Sequence, residues 1–387
     1  GVMCPSYRAT RNERDLVRGR ANTLRLALTG RLGPDAFASD EMAETMKLCV
    51  SCKACQRECP MSVDMAKMKI EVQAARIAKR GPTLRDRLVG HLPRYAPVAA
   101  RLPWLMNLRN RIPALARLGE RVAGFAADRP LPEWRAPFRP PADDPDPEVV
   151  LLADTFNAHF EPGNLRDAVA VLRAAGLRVG FARPPQGGRG LCCGRTYLST
   201  GMVAEAKAEI ARTAAALRPV LERGGAVVGL EPSCLLTFRD EAPRLLPDWP
   251  ADLGRRVMLL EEYLAPMADR LPLKPLPLRA KLHGHCHQKA ANVMGPVETL
   301  LRAIPALDVS VIETSCCGMA GAFGYQAETA EVSRAMAELS LLPAVREDTD
   351  ALIVADGTSC RHQIADGAGR AAVHVATVLR RSLEAAA

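Results

Sequence analysis

Along the second part of the chain, apolar positions fall into short runs of strand length separated by segments of helical period, and the order of these segments occurs twice. Residues 148–153 read as a strand, 164–175 as a helix and 177–181 as another strand. Then come Cys192-Cys193-Gly194, a helix over 202–222, a buried strand over 226–230 and Glu231-Pro232-Ser233-Cys234. After the proline-rich joint LPLKPLPLR the order returns, with a strand leading into HGHCHQ at 283–288, a helix over 297–303 and a strand over 309–313. Cys316-Cys317-Gly318 follows, then a helix over 328–345, a strand over 351–354 and Asp356-Gly357-Thr358-Ser359-Cys360. The spacing agrees: 41 positions separate Cys193 from Cys234, and 43 separate Cys317 from Cys360. Strands alternating with helices predict two parallel α/β units, with the cysteines on loops at one end of each sheet.

The first part of the chain has helical period. Over residues 12–28, Asn12 suits an N-cap, Glu13 and Asp15 the first turn, and Leu16, Leu24 and Leu28 recur near helical spacing before Gly30 ends the pattern. Asp64 suits the N-cap of a second helix whose Met65, Met68, Val72 and Ala75 make one core-facing side, stopped by Gly81-Pro82. Between 91 and 147 the composition turns to proline, arginine and alanine, with nine arginines against three acidic residues from Arg94 to Arg139. Pro97, Pro103 and Pro113 should break this stretch into short helices. The simpler expectation is that these wrap against neighbouring domains and leave their arginines in water. The other is that Trp104, Leu105, Leu108, Leu115 and Phe125 lie on an anionic membrane surface. The run PPADDPDP, 140–147, reads as a boundary. The expected organisation is therefore multidomain α and α/β: an all-helical domain over 1–85, a basic linker over 86–147, and α/β units over 148–270 and 276–387.

Composition narrows the chemistry. With 387 residues, 48% hydrophobic and 25% charged, the chain is ordinary globular material with room for two or three cores. No stretch approaches the ~18–20 uninterrupted apolar residues of a transmembrane helix. Twelve cysteines, clustered and without a signal peptide, point to metal ligation in a reducing compartment, the cytoplasm by default. A net charge of +9 would suit nucleic acid, but aromatics at 4% and the lack of a recognition motif argue against it.

The most specific signal is CVSCKACQRECP, Cys49 to Pro60. Cysteines spaced x2, x2, x3 and followed by proline form a run that holds a [4Fe–4S] cluster, and in two-cluster proteins the fourth cysteine ligates the other cluster. Cys49, Cys52 and Cys55 should therefore hold one cluster while Cys59 reaches toward a second. The only other Cys-Pro pair is Cys4-Pro5. Cys4 is expected to complete the cluster of Cys49, Cys52 and Cys55, as the tail of a run that begins before Gly1. Zinc favours two separated cysteine pairs over so compact a run.

In the second α/β unit Cys286, Cys316, Cys317 and Cys360 offer four thiolates, enough for an iron–sulfur cluster or a zinc ion. The first offers three at most, Cys192, Cys193 and Cys234, because LLADTFN stands where the second has LHGHCHQ. The glycine after each pair would admit a positive φ or a close approach to a cluster. His283, His285, His287 and His362 lie near the second set, where they would tune a cluster or move protons; the first three are the candidate catalytic residues.

These motifs resemble a known family. The Cys-Cys-Gly repeats are similar to the cysteine-rich domains of heterodisulfide reductase and of the glycolate oxidase iron–sulfur subunit. GVMCPSYRATRNERDLVRGRA, DTFN, GLEPSC, GHCHQKA, CCGMAGAFG and ADGTSC resemble more closely the C-terminal half of FAD-linked D-2-hydroxyacid dehydrogenases of the D-lactate and D-2-hydroxyglutarate type. The resemblance implies an upstream flavin domain that oxidises the hydroxyacid and an iron–sulfur portion, this chain, that relays electrons to a quinone or other acceptor, with peripheral contact at the inner face of a membrane compatible with the basic linker. It also implies ferredoxin-like character for residues 1–85. Full repeats of the family close with CxxC; here only Cys234 and Cys360 remain, with Gly357 near the missing position, so the five-thiolate noncubane cluster is not expected. Two rival functions follow from the same residues: a thiol–disulfide reductase working at the second Cys-Cys-Gly site, and a zinc-stabilised assembly module.

Overall fold

The computed structural model describes residues 3–249 and 254–385. The expectation about Gly1 lies outside the described residues. Two four-stranded sheets organise the second part of the chain. Strands β1 (Val149–Leu151), β2 (Val179–Phe181), β3 (Ala226–Gly229) and β4 (Val257–Leu259) pair in parallel in the order β2-β1-β3-β4. Strands β5 (Arg279–Leu282), β6 (Asp308–Val311), β7 (Leu352–Val354) and β8 (Ala372–Val373) repeat that order as β6-β5-β7-β8. In the first sheet Leu151 stands opposite Phe181 and Val228; in the second Leu282 stands opposite Val311 and Val354. Each sheet reverses its winding between its first and third strands, so a crevice opens beyond the carboxyl ends of β1 and β3, and of β5 and β7.

The two units pack reciprocally. Helix Pro162–Ala174 of the first lies on Val375–Glu384 of the second, and Gly295–Arg302 of the second lies on Leu260–Leu264 of the first. This is the isologous arrangement of a two-fold dimer made within one chain. One apolar core results, with Leu165, Leu172, Leu260 and Leu264 meeting Leu282, Leu300, Val375 and Leu379, all fully buried. At roughly 1.5–3 kcal/mol for each such side chain, the shared core binds the units into one body.

The amino-terminal helices dock on this body through ions. Lys53 Nζ donates to Asp240 Oδ2 and Glu241 Oε1, both at 2.6 Å, and Lys67 Nζ reaches Asp240 Oδ1 at 2.5 Å. The segment after Gly124 crosses to the second unit, where buried Arg129 donates to Gly324 O at 2.6 Å and pairs with Asp366 at 2.8 Å.

Several elements differ from the sequence expectation. Asn12 does cap, accepting from Arg14 N at 3.0 Å, but only a 3₁₀ turn, Glu13–Asp15; the helix proper is Val17–Leu28. Asp64 caps Met65–Arg80 through Lys67 N at 3.1 Å, yet Met68 is exposed, and the buried side is Met65, Ala66 and Val72. The helix expected over 328–345 is two, Ala330–Glu338 and Leu341–Glu347. Pro343 explains the break, because its ring would strike the carbonyl of Leu339 in a continuous helix. Pro97 lies inside helix Leu92–Ala99, while Pro103 and Pro113 begin helices Pro103–Met106 and Pro113–Ala123. The wrapping expected of this stretch holds for Ala96, Ala100 and Trp134, which are buried with Phe160. It fails for Trp104, which is 61% exposed, and for Leu118 and Val122. Strands β4 and β8 have no counterpart in the sequence reading; at three and two residues they are too short to carry a period.

Candidate metal centres

Cys49 follows helix Asp40–Lys47, and the loop beyond it is bent at Ser51 and Lys53, whose φ angles are +50° and +60°. Left-handed backbone costs a non-glycine residue roughly 1–2 kcal/mol, and such strain collects where a site demands it. Cys4, with φ +52°, precedes helix Pro5–Thr10 and brings its thiol to the same place. Cys4, Cys49, Cys52 and Cys55 line one concave space, walled by Met3, Val17, Met65 and Ala66. Among the described residues, no three of these sulfurs lie within 4.8 Å of one another. A cube of iron and sulfide takes each thiolate on a separate iron, so four thiols set around one space fit a [4Fe–4S] cluster. Burial raises the Cys4, Cys52 and Cys55 thiols, as for ligands that lose their protons only to a metal. Beneath them Lys69 Nζ donates to Cys49 O at 2.5 Å. Cys59 does not line this space. It ends helix Ala54–Glu58, and backbone N–H groups of Val63 and then Met61 pull its thiol below the ordinary value.

The second sheet gathers Cys286, Cys316, Cys317 and Cys360 from three loops. Cys286 opens helix Cys286–Ala290 after β5, the Cys316-Cys317 pair follows β6, and Cys360 sits in the first turn of Thr358–Ala368 after β7. Their thiols form a hydrogen-bonded chain in that order. Hydrogen bonding by Cys316 and then Cys360 holds Cys317 well below the ordinary thiol range, and Cys316 brings Cys286 down to about 6. Cys286 and Cys317 thus favour the thiolate, the ligand form, whereas Cys316 and Cys360 are pushed well above the ordinary value by their hydrogen bonds to these partners and by burial. His283, His285 and His287 are buried, and His362 bonds Tyr325 Oη at 3.1 Å. His285 caps the Cys286 helix, its Nδ1 accepting from His287 N at 3.1 Å.

The first sheet repeats this scaffold with weaker chemistry. Asp154 caps helix Thr155–His159 where His285 caps its counterpart, so Thr155 occupies the place of Cys286. Asp154 Oδ1 accepts from Phe156 N and Asn157 N, both at 3.0 Å. Cys192 is raised by its hydrogen bond to Cys193 and by burial. Cys193 lowers Cys234 by hydrogen bonding, but burial and the Asp154 and Glu231 carboxylates outweigh it and push Cys234 to about 12. Protonated thiols are favoured in this unit. In both units the glycine after the pair serves the chain rather than a ligand: Gly194 and Gly318 have φ of +75° and +85°. A Cβ there would press on the backbone of the following helix, at Ala206 O and Ser333 O.

Two features had no signal in the sequence. Cys52, Arg57, Cys286, Lys289, Ser315 and Cys316 line a small space joining the two candidate centres. Glu261, Asp356 and His374 form a buried group where the two units meet, with ligand atoms within 4.8 Å of one another. Both depend on residues about a hundred or more positions apart, beyond the reach of local spacing.

Comparison with known proteins agrees with this picture. Residues 2–63 match the 4Fe-4S dicluster domain, and residues 280–365 match the cysteine-rich domain. The chain thus matches an iron–sulfur domain in its first part and a cysteine-rich domain in its last, and the resemblance read from the motifs is borne out. Among individual proteins it is similar to D-2-hydroxyglutarate dehydrogenase of Pseudomonas putida, 27% identical over 421 residues, 94% of this chain and 40% of the relative. It is also similar to one of the subunits of anaerobic glycerol-3-phosphate dehydrogenase of Escherichia coli, 26% identical over 315 residues and 78% of both chains. Lactate utilization protein A of Bacillus velezensis is 28% identical over 222 residues, 55% of this chain and 85% of the relative. The chain spans about 40% of the length of the D-2-hydroxyglutarate dehydrogenases it matches. No helix among the described residues is long and apolar enough to cross a membrane.

Proposed function

We propose that this chain is the electron-transfer portion of a FAD-linked D-2-hydroxyacid dehydrogenase. It takes electrons from an upstream flavin domain or subunit and delivers them to a quinone or similar acceptor. When bound, iron–sulfur clusters supply one-electron relay; the protein supplies spacing, burial and hydrogen bonding. Cys4, Cys49, Cys52 and Cys55 are assigned to one cluster. Cys286, Cys316, Cys317 and Cys360 are assigned to a second centre, and Cys59 to a neighbouring ferredoxin-type cluster. Cys192, Cys193 and Cys234 are assigned no metal. The observation that carries the reading is that Cys52 and Cys286 line one space, so the two ligand sets are neighbours. The disulfide-reductase reading draws less support, because Cys316, Cys317 and Cys360 are buried and a disulfide substrate would have to reach them. Cytoplasmic placement at a membrane surface is part of the proposal.

The deciding experiment uses the flavin domain together with this chain. Cys317→Ser is expected to abolish reduction of the physiological acceptor while leaving substrate-driven flavin bleaching intact in a single turnover. Normal steady-state transfer in that variant would reduce the repeats to scaffold.

A further inference from the structure

Four buried histidines, His283, His285, His287 and His374, stand near the cysteines and carboxylates, and the contacts of their ring nitrogens separate them. His287 Nε2 lies 3.0 Å from Ser51 O and its Nδ1 is without a partner, but His287 is not among the residues whose ligand atoms gather within 4.8 Å. In the group of Glu261, Asp356 and His374, His374 Nδ1 accepts from Ala376 N at 3.0 Å, so Nε2 carries the ring proton, which points to Leu230 O at 3.2 Å. That nitrogen has no lone pair for a metal. His285 is fixed the same way, because its Nδ1 accepts from His287 N at 3.1 Å. His283 is free of that constraint. Its Nδ1 lies 2.8 Å from Thr314 Oγ1, a hydroxyl that also accepts from Lys289 Nζ at 3.0 Å and can either donate to Nδ1 or accept from it. With Nδ1 as the donor to that oxygen, Nε2 presents its lone pair from a side chain only 1% exposed, and the group it approaches is the Cys317 thiol.

What it faces are the sulfurs of Cys317 and Cys360, all three ligand atoms lying within 4.8 Å of one another. Bonds of about 2.0–2.3 Å place the ligand atoms of one ion no more than ~4.6 Å apart, close to the spacing already present. A ligating imidazole typically holds its other nitrogen on a second partner, the role Thr314 fills here with Lys289 behind it. Residue 357 cannot supply the further ligand, because a Cβ on Gly357 would collide with the His285 ring and stand 3.3 Å from Cys360 Sγ.

We infer that His283 Nε2 is a ligand of the transition-metal centre held by Cys317 and Cys360, making the second site a mixed nitrogen and sulfur site. The inference rests on the proposed metal occupancy of the second unit but not on its role in electron transfer, so the two fail separately.

The test is made on the whole chain, purified anaerobically and labelled with ¹⁵N-histidine. Pulsed EPR of the reduced protein should show one strongly coupled histidine nitrogen. His283→Cys should keep the iron content within experimental error but lose that coupling, and His283→Gln should lose the second centre's iron without disturbing the Cys4, Cys49, Cys52 and Cys55 signal. If the site proves to hold zinc, nitrogen and sulfur scattering at the zinc edge that becomes all-sulfur in His283→Cys would support the ligand and overturn electron relay through this site. Absence of nitrogen from both readouts in the wild-type protein, or its persistence in His283→Cys, would overturn the inference. So would undiminished metal in Cys316→Ser/Cys317→Ser, which would also remove the second centre from the proposed route.

Discussion

Cys52 and Cys286, 234 positions apart in sequence, line the same space between the amino-terminal cysteine loop and the second sheet. Their charges are close enough that the Cys286 thiolate raises the Cys52 thiol beyond what burial does. Metal centres held by these residues should therefore couple magnetically when both are reduced. The EPR spectrum of the dithionite-reduced chain is expected to show spin–spin broadening that collapses to a simple signal in Cys286→Ser. An identical line shape in that variant would place the second centre elsewhere or remove it.

Cys4 joins the amino-terminal set from a left-handed position 45 residues before Cys49, and it is buried beside Arg20. Cys4→Ser should lower the iron and sulfide of the Cys49, Cys52 and Cys55 cluster and shift its EPR signal. Cys59→Ser should leave that cluster unchanged, since Cys59 lies outside the space the four thiols share. Equal losses from the two variants would contradict the division of roles.

The sheet repeat and the helical beginning were legible because they rest on local period: alternating short apolar runs, and caps such as Asp64 and Asn12. Boundaries slipped where one residue overrides the period, as Pro343 does in dividing its helix. The cysteine runs announced metal chemistry through spacing alone. Which cysteines share a space depends on packing between Lys53, Asp240 and Glu241, whose partners are more than 180 positions apart. The partners that hold His283 Nδ1, Thr314 with Lys289 behind it, come from other loops, and no pattern in HGHCHQ reveals them.

The two Cys-Cys-Gly loops should behave differently under the same change. Cys316→Ser/Cys317→Ser is expected to remove a metal centre, measured as iron or zinc per chain. Cys192→Ser/Cys193→Ser should leave metal content unchanged and lower stability, by about 1–3 kcal/mol for polar hydroxyls in a buried apolar cluster. A metal loss from the first pair would mean that Asp154 or Asn157 supplies the missing ligand in place of their present mutual hydrogen bond of 2.8 Å.

Glu161 of the first unit ties down Arg361 of the second, with Arg361 Nε donating to Oε1 at 2.7 Å and Thr358 Oγ1 donating to Oε2 at 2.8 Å. Burial alone would raise the carboxyl; the Arg361 charge and hydrogen bonds outweigh it and bring Glu161 from 4.5 to about 2. A depressed carboxyl adds stability that is fully present above pH 4.5 and disappears as pH falls toward 2. Glu161→Gln should therefore cost about 3 kcal/mol at neutral pH, and the difference from the parent chain should vanish in acid. Denaturant unfolding across that range measures it; a pH-independent difference would assign the loss to packing instead.

In helix Pro113–Ala123, Leu115, Leu118 and Val122 share one helical stripe and are 38%, 56% and 60% exposed, while Ala116 faces inward. Trp104 at 61% and Leu102 at 49% continue the exposed apolar run, and Arg101, Arg111, Arg117 and Arg121 are interspersed, all exposed. An apolar stripe facing water beside exposed guanidinium groups is the pattern of a helix that lies in a membrane interface, drawn by anionic headgroups and held by its apolar side. We expect the whole chain to sediment with vesicles containing phosphatidylglycerol and not with purely zwitterionic ones. Raising the salt should weaken the association, because charge brings the protein to the surface. Leu118→Glu combined with Trp104→Ala should abolish sedimentation without altering iron content, since neither side chain lines the cysteine sites. Binding that survives this double change would move the contact elsewhere. If the vesicles are ignored but the flavin domain binds and protects these residues from solvent labelling, the stripe is instead the seat of that domain.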